Sequence, residues 1–164
     1  MKNRMKRLKV VGAAACAVAL GFAMSGPAMA QSGDQTFTFT SKSGTLNGLG
    51  GDGKNGVPYT GWHWTGTSTG ETGDGQKTSS TFSCVMMTQP PSDSLFPMHM
   101  LCDVKAGDGA YSTTLGCQFV NPATMEASCI GGLYGTGGAY AGRRGSITNH
   151  VKSGVSTGTG QWFQ

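Results

Sequence analysis

The sequence predicts an all-β protein, an antiparallel barrel of about eight strands that is closed or nearly closed and carries two disulfides. Three observations support this fold class. After residue 30, no window has apolar residues at helical spacing, and glycine, serine and threonine, which disfavour helix interiors, are frequent. Apolar and polar residues alternate along several stretches. Turn-forming residues separate those stretches. A β-sandwich is the alternative arrangement of the same strands.

The alternation locates the strands. It is clearest in 96–104 and 111–119, and a shorter example covers 82–86. In each stretch the apolar side chains fall on one face of an extended chain. The remaining predicted strands are 36–40, 59–66, 124–134, 144–152 and 155–163. Consecutive antiparallel strands in a chain of this length most simply close into a barrel.

The first 30 residues predict a secretory signal peptide. Residues 1–9 contain five basic residues and no acidic one, 10–24 are mostly apolar, and small residues lead up to Ala30. The apolar run is shorter than the roughly 20 residues that a membrane-spanning helix needs, so no stable membrane anchor is expected. Residues 31–164 are then expected to form a single barrel domain that is periplasmic or secreted.

Removal of this segment changes the charge of the protein. The whole chain has 12 basic and 8 acidic residues and a net charge of +4. Five of the 12 basic residues belong to the signal, which leaves 7 basic against 8 acidic residues and a net charge of −1. Nucleic-acid binding proteins carry a basic surface, so no nucleic-acid partner is expected.

Four cysteines follow the signal, and an even number in an exported chain predicts two disulfides. Two consecutive cysteines flank a proline-rich turn at equal distances, and the other two flank a second proline-containing turn in the same way. Residues equidistant from a hairpin turn face each other across the two strands. This favours the pairs Cys84–Cys102 and Cys117–Cys129. The rival pairing joins Cys102 to Cys117 and Cys84 to Cys129.

Residues 43–56 form a glycine-rich segment with the sequence SGTLNGLGGDGKNG. Such a segment has few side chains to bury, and glycine loses more conformational freedom on folding than other residues do. We therefore expect a flexible loop there.

A second glycine-rich stretch, GTGGAYAGRRG, covers 135–145. A dinucleotide-binding loop needs a third glycine where Tyr140 stands, and a phosphate-binding loop needs a lysine followed by serine or threonine. Neither condition is met, and the residues that follow favour a strand. The stretch therefore predicts a turn between two strands of the barrel.

The same stretch resembles the glycine-rich turn of the allene oxide cyclase and dirigent-like β-barrel superfamily. Small secreted bacterial members show a motif GGTGxYAGxxG before their last strands. Residues 140–145 fit this form, while Thr136 comes one position early. The similarity continues upstream through Cys117, Cys129 and the residues after it, and downstream into 158–162. It implies a barrel that takes a hydrophobic ligand inside, with isomerase or cyclase activity left open because no catalytic position of the superfamily is matched.

Four aromatic residues are the candidate ligand-binding side chains: Trp62, Trp64, Tyr111 and Tyr140. Aromatic rings inside a barrel either line a cavity for a small hydrophobic molecule or fill the core. A small hydrophobic molecule is therefore the expected partner. No cofactor is implied, and no catalytic residue is assigned.

Two other functions are compatible with the sequence. The first is a non-catalytic, disulfide-stabilised envelope or interaction protein, because no acid–base cluster is evident. The second is a periplasmic copper binder, since thioether and imidazole groups suit Cu(I). Its candidate ligands are Met86, Met87, Met98, His99 and Met100. On a strand, however, His99 points away from both neighbouring methionines, so no metal site is assigned.

We predict that the exported protein begins at Gln31, because a small residue precedes this position in the pattern that signal peptidases cleave. The mass of the intact protein recovered outside the cytoplasm checks this. A mass that includes residues 1–30 would contradict it and would restore the net charge of +4.

Overall fold

A computed structural model describes residues 35–52, 58–88 and 95–163 of the chain. The predicted signal peptide, residues 1–30, lies outside these ranges. The described part consists of strands and one 3-10 turn, Pro122–Thr124. The strands are β1 (Gln35–Ser43), β2 (Asn47–Asp52), β3 (Pro58–Thr72), β4 (Lys77–Thr88), β5 (Met98–Ala106), β6 (Gly109–Asn121), β7 (Glu126–Gly138), β8 (Arg144–Lys152) and β9 (Val155–Trp162).

Eight of these strands form a closed antiparallel barrel. From β3 to β9, each strand pairs with the next one in the sequence. The first strand, β1, pairs with β9 on one side and with the second half of β3 on the other, which closes the sheet. The extra strand, β2, pairs with the first half of β3. The predicted eight-stranded barrel is confirmed, and the chain does not form the alternative sandwich.

The predicted loop at 43–56 contains a strand instead, because β2 (Asn47–Asp52) is paired along its length with β3. Side chains of β3 cover the glycines of β2. A Cβ atom at Gly48 would lie 2.7 Å from Cδ1 of Trp62, and one at Gly51 would lie 2.9 Å from the hydroxyl of Tyr59. Close packing of this kind favours small residues such as glycine in β2. Residues 53–56 of the predicted loop lie outside the described ranges.

The strands alternate between the interior and the outer surface of the barrel. In β5 the burial of the side chains alternates without interruption: every second residue, Met98, Met100, Cys102 and Val104, is buried, and the residues between them are not. This confirms the period-two pattern predicted for 96–104 over residues 98–104, whereas Phe96 precedes the strand and its ring packs against Gly116 and His99. The largest residues of the buried core are Trp64, Met98, Met100, Leu115, Leu133, Ile147 and Trp162.

Phenylalanine rings of β1 pack over glycines of β9. Phe37 lies opposite Gly160, and Phe39 lies opposite Gly158. A Cβ atom at Gly160 would lie 2.2 Å from the ring of Phe37, and one at Gly158 would lie 2.5 Å from the ring of Phe39. The interior of a small barrel has a fixed volume, so a large ring on one strand needs a very small residue on the next.

Both predicted disulfides are present. Cys84–Cys102 joins β4 to β5, and Cys117–Cys129 joins β6 to β7, with each pair directly opposite in register. All four cysteines are buried inside the barrel. The register shift near the turn between β6 and β7 occurs beyond Phe119, so it leaves the second cysteine pair aligned.

The disulfides also bear on the compartment. Disulfides persist in oxidising, non-cytoplasmic environments, so two buried bridges indicate such an environment for this chain. Over the ranges given above, the structure holds no helix that is long and apolar enough to cross a membrane.

Replacement of Cys117 and Cys129 by alanine is expected to lower the free energy of unfolding by about 3 kcal/mol, because the unfolded chain loses the constraint of a short closed loop. The Cys84–Cys102 bridge should form normally. Urea denaturation measures the loss of stability, and non-reducing peptide mapping identifies the remaining bridge. Unchanged stability, or Cys84 found in any other bridge, would contradict this expectation.

Candidate functional site

The interior of the barrel contains a cavity of about 100 Å³. Pockets for drug-sized ligands begin at about 300 Å³, whereas an apolar cavity of about 150 Å³ accepts benzene. The cavity therefore suits a molecule smaller than benzene, or water. Most of its wall is apolar and comes from Phe39, Trp64, Phe82, Met100, Val104, Tyr111, Leu115 and Ile147.

Hydroxyl and amide groups interrupt this apolar wall at a few places. The polar residues that line the cavity are Ser41, Ser43, Ser68, Ser80, Thr113, Asn149 and Ser156. Two of these residues are hydrogen-bonded to each other, since the hydroxyl of Ser41 donates a hydrogen bond to that of Ser68 at 3.0 Å. Thr113 and Asn149 are only 4% and 9% exposed.

Two buried polar atoms in this lining have no hydrogen-bond partner in the protein: Oγ1 of Thr113 and Oδ1 of Asn149. A buried polar group that lacks a hydrogen bond costs about 1–3 kcal/mol. Such groups are therefore normally paired with protein, water or a ligand. Water or a small guest with a polar group would satisfy each of these atoms.

The chemistry of the cavity is neutral. The residues that the structure shows around it include no carboxylate, imidazole, amine or guanidinium group. Burial raises the pKa of the Tyr111 hydroxyl to about 12, and the neighbouring Tyr140 contributes to this shift. Tyr111 therefore remains protonated at neutral pH and cannot serve as a base. The lining can hold a neutral molecule, but it supplies no general base.

The structure separates the four aromatic residues that the sequence singled out. Trp64 and Tyr111 line the cavity. Trp62 is half-buried against the core and packs over Gly48 of β2, outside the cavity lining. Tyr140 lies at one end of the barrel, with its ring 5.4 Å from that of Tyr111.

Trp162 completes an aromatic cluster at this end of the barrel. Its ring lies 5.3 Å from that of Tyr111 and 5.1 Å from that of Tyr140. Sequence reasoning did not select this residue. The period-two pattern of β9 indicates it, because Trp162 lies an even number of residues from Ser156, Gly158 and Gly160, which face inward. The three rings close the barrel beside the cavity.

The glycine-rich stretch 135–145 places Tyr140 in this cluster. The turn between β7 and β8 begins after Gly138, and both Gly138 and Gly142 have positive φ angles, 60° and 76°. A Cβ atom at Gly135 would lie 1.5 Å from the carbonyl oxygen of Tyr140, so only glycine allows the turn to fold back over the strand. The predicted role of this stretch as a barrel turn is confirmed.

The two arginines that follow the turn diverge, with Arg143 just before β8 and Arg144 as its first residue. The guanidinium of Arg143 lies 5.3 Å above the ring of Trp162, and that of Arg144 lies 5.3 Å above the ring of Tyr134. Arg143 thus belongs to the aromatic end of the barrel, whereas Arg144 belongs to the outer surface.

The sequence Met98-His99-Met100 does not form a convergent set of ligands. Both methionines are buried in the interior, while His99 lies on the outer face against the ring of Phe96, with the ring centroids 6.4 Å apart. Met86 is half-buried on the inner face, and Met87 is exposed on the outer face. Within the described ranges, no group of three or more His, Cys, Asp or Glu residues is arranged to hold a metal ion.

Comparisons with family models, with curated proteins and with solved structures give no match for this chain. A barrel supports many unrelated functions, so function has to be argued from the site. The cavity and its two unpaired polar atoms are the features from which that argument starts.

Tyr111 is expected to make the protein sensitive to alkali. Its pKa is about 12 in the folded protein and about 10 in an unfolded chain, so between these values only the unfolded chain releases the proton. The free energy of unfolding should therefore fall as the pH rises, by up to about 1.4 kcal/mol per pH unit. Urea denaturation between pH 9 and 11.5 measures this slope. Tyr111→Phe should reduce the slope. Tyr134→Phe, a control at an exposed tyrosine, should leave the slope unchanged. Equal slopes in both variants would show that Tyr111 does not cause the pH dependence.

Proposed function

We propose that the protein is an exported barrel that binds a small neutral molecule in its interior cavity without transforming it. The observation that carries the proposal is the pair of unpaired polar atoms, Oγ1 of Thr113 and Oδ1 of Asn149, in a cavity with mostly apolar walls. A guest with both apolar and hydrogen-bonding parts satisfies both kinds of surface. Export is supported by the two disulfides and by the signal peptide predicted for residues 1–30.

The proposal is compatible with the resemblance to the allene oxide cyclase and dirigent-like barrels, which take hydrophobic ligands inside. We favour binding over isomerase or cyclase activity. General acid–base catalysis needs a group that changes protonation near neutral pH. The residues seen around the cavity provide only hydroxyl and amide groups and the high-pKa phenol of Tyr111.

The two polar atoms also define the chemistry of the ligand. The amide oxygen of Asn149 accepts hydrogen bonds, whereas the hydroxyl of Thr113 can donate or accept one. The registers place Thr113 and Asn149 two strands apart, and a hydroxyl group on the ligand can pair with either of them, as a donor to Asn149 or as a donor or acceptor to Thr113. A charged ligand would lose its hydration and meet no opposite charge, which is strongly unfavourable. We therefore infer a small alcohol or a molecule with an alcohol group at its end.

The binding of isopropanol, compared with that of acetone, tests this inference. The two molecules are similar in size, but acetone has no donor for Asn149. In methyl-labelled protein, isopropanol should give nuclear Overhauser effects to the methyl groups of Met100 and Ile147, which line the cavity. Acetone should bind several-fold more weakly. Isopropanol contacts confined to the outer surface would refute the proposal.

Thr113→Val tests whether the hydroxyl of Thr113 contacts the ligand, since valine keeps the shape of the side chain and removes the hydroxyl. It should weaken isopropanol binding and raise the free energy of unfolding by about 1 kcal/mol, because an unpaired buried hydroxyl is removed. Thr114→Val is the control, since the same change then falls on the outer face of β6. A loss of stability in Thr113→Val, or equal binding by both variants, would show that Thr113 does not contact the ligand.

A further inference from the structure

Ser128, His150 and Glu126 form a hydrogen-bonded chain on the outer face of the barrel. Ser128 on β7 and His150 on β8 lie directly opposite each other. Oγ of Ser128 is 3.0 Å from Nδ1 of His150, and Nε2 of His150 is 3.0 Å from Oε1 of Glu126. One imidazole ring thus connects a hydroxyl group to a carboxylate.

Strand geometry holds the three side chains together. Glu126 and Ser128 are two residues apart on β7 and share the outer face, while Ala127 between them is buried inside. Lys152, two residues beyond His150, places its ammonium group 3.3 Å from Oε2 of Glu126. The carboxylate side chain is only 16% exposed, whereas that of His150 is 44% exposed. The carboxylate is therefore held in place, and Ser128 is itself exposed on β7.

This connectivity is the one that activates serine as a nucleophile. A carboxylate that accepts the N–H of one imidazole nitrogen holds the ring in the tautomer whose other nitrogen has a free lone pair. In this protein the carboxylate of Glu126 accepts from Nε2, so the lone pair on Nδ1 faces the hydroxyl of Ser128. That nitrogen can take the proton of the serine during attack.

We propose that Ser128 is a nucleophile that is acylated by activated esters, with His150 as its base and Glu126 as a positioning residue. Oγ of Ser128 forms a bond to the carbonyl carbon of the ester while its proton moves to Nδ1 of His150. The bond from that carbon to the leaving oxygen then breaks, and the proton on His150 passes to this oxygen. The products are acylated Ser128 and a free alcohol or phenol.

The surroundings of Ser128 indicate slow release of the acyl group. Strand β7 is paired on both sides, with β6 and with β8, so its backbone N–H groups are engaged in the sheet. Efficient serine hydrolases direct free N–H groups at the developing oxyanion. The ester must therefore be activated by a good leaving group, and the expected outcome is a stable acyl-serine.

The barrel also carries a matched pair without the carboxylate. Nε2 of His63 on β3 lies 3.2 Å from Oγ of Ser83 on β4, again on the outer face. Within the described ranges, His63 has no ion-pair partner. Ser83 and His63 thus provide a serine–histidine pair in the same molecule and the same solvent. This pair lacks a carboxylate behind the imidazole, and its imidazole faces the serine with Nε2 in place of Nδ1.

Acetylation by 4-nitrophenyl acetate tests the proposal on the full, oxidised protein. Trypsin cleaves after Lys77, Lys105 and Arg143, which places Ser83 and Ser128 in different peptides and keeps each disulfide within one of them. Each peptide also contains other serines, so fragmentation in the mass spectrometer is used to locate the acetyl group, and a time course then gives the acetylation rate of each serine. Ser128 should react at least about 10-fold faster than Ser83.

Variants separate the roles of the three residues. His150→Gln should slow acetylation of Ser128 by about 100-fold, and Glu126→Gln by about 10-fold. Glu126→Asp retains the carboxylate and should restore part of the acetylation rate that Glu126→Gln loses. If Glu126 only stabilised the fold, the two variants would react at equal rates when their thermal stabilities are equal. Ser83→Ala and His63→Gln should leave the rate at Ser128 unchanged.

Equal acetylation of the two serines in the wild-type protein would overturn the proposal. So would an unchanged rate at Ser128 in His150→Gln, or acetyl groups found on His150 or Lys152 in place of Ser128. The wild-type comparison needs no substitution, so it decides the matter even if a variant of His150 fails to fold.

Discussion

The pairing of β1 with two strands at once closes the barrel and creates its interior. Residues of β1 are hydrogen-bonded to β9 on one edge and to the second half of β3 on the other. Without β1, β9 and the second half of β3 would both be open edges, and open edges expose unpaired backbone groups. Because β1 closes the sheet, the inward face of every strand becomes interior. The cavity, the buried disulfides and the aromatic end of the barrel all follow from that closure.

Closure also limits what the interior can contain. The rings of Phe37 and Phe39 fit only because glycines lie opposite them on β9, and the turn that carries Tyr140 fits only because residue 135 is glycine. Packing of this kind uses most of the available volume and leaves a cavity of about 100 Å³. Gly135, Gly158 and Gly160 are therefore part of the packing, since they provide the space that the turn and the aromatic rings occupy.

Strand alternation divides the chemistry of the barrel between two surfaces. Along β8, Asn149 faces the cavity, while the next residue, His150, faces outward to Ser128 and Glu126. The interior is neutral and suited to a small guest. The outer face carries ionisable groups in contact with water. Adjacent residues of one strand thus belong to two separate sites, which share the sheet and no side chain.

The sequence by itself predicted eight of the nine strands, most of their inward faces and the favoured disulfide pairing. These depend on local alternation and on hairpins between neighbours in the chain, so Cys84 and Cys102 could be paired by counting from one turn. Only the tertiary structure decided that β2 is a strand, that Trp162 joins Tyr111 and Tyr140, and that Ser128 meets His150 and Glu126. The spacing of residues in the sequence also cannot show which polar atoms of the cavity lack a hydrogen-bond partner. Such facts follow from the registers of strand pairs and from the shape of the closed sheet, which depend on the packing of the whole barrel.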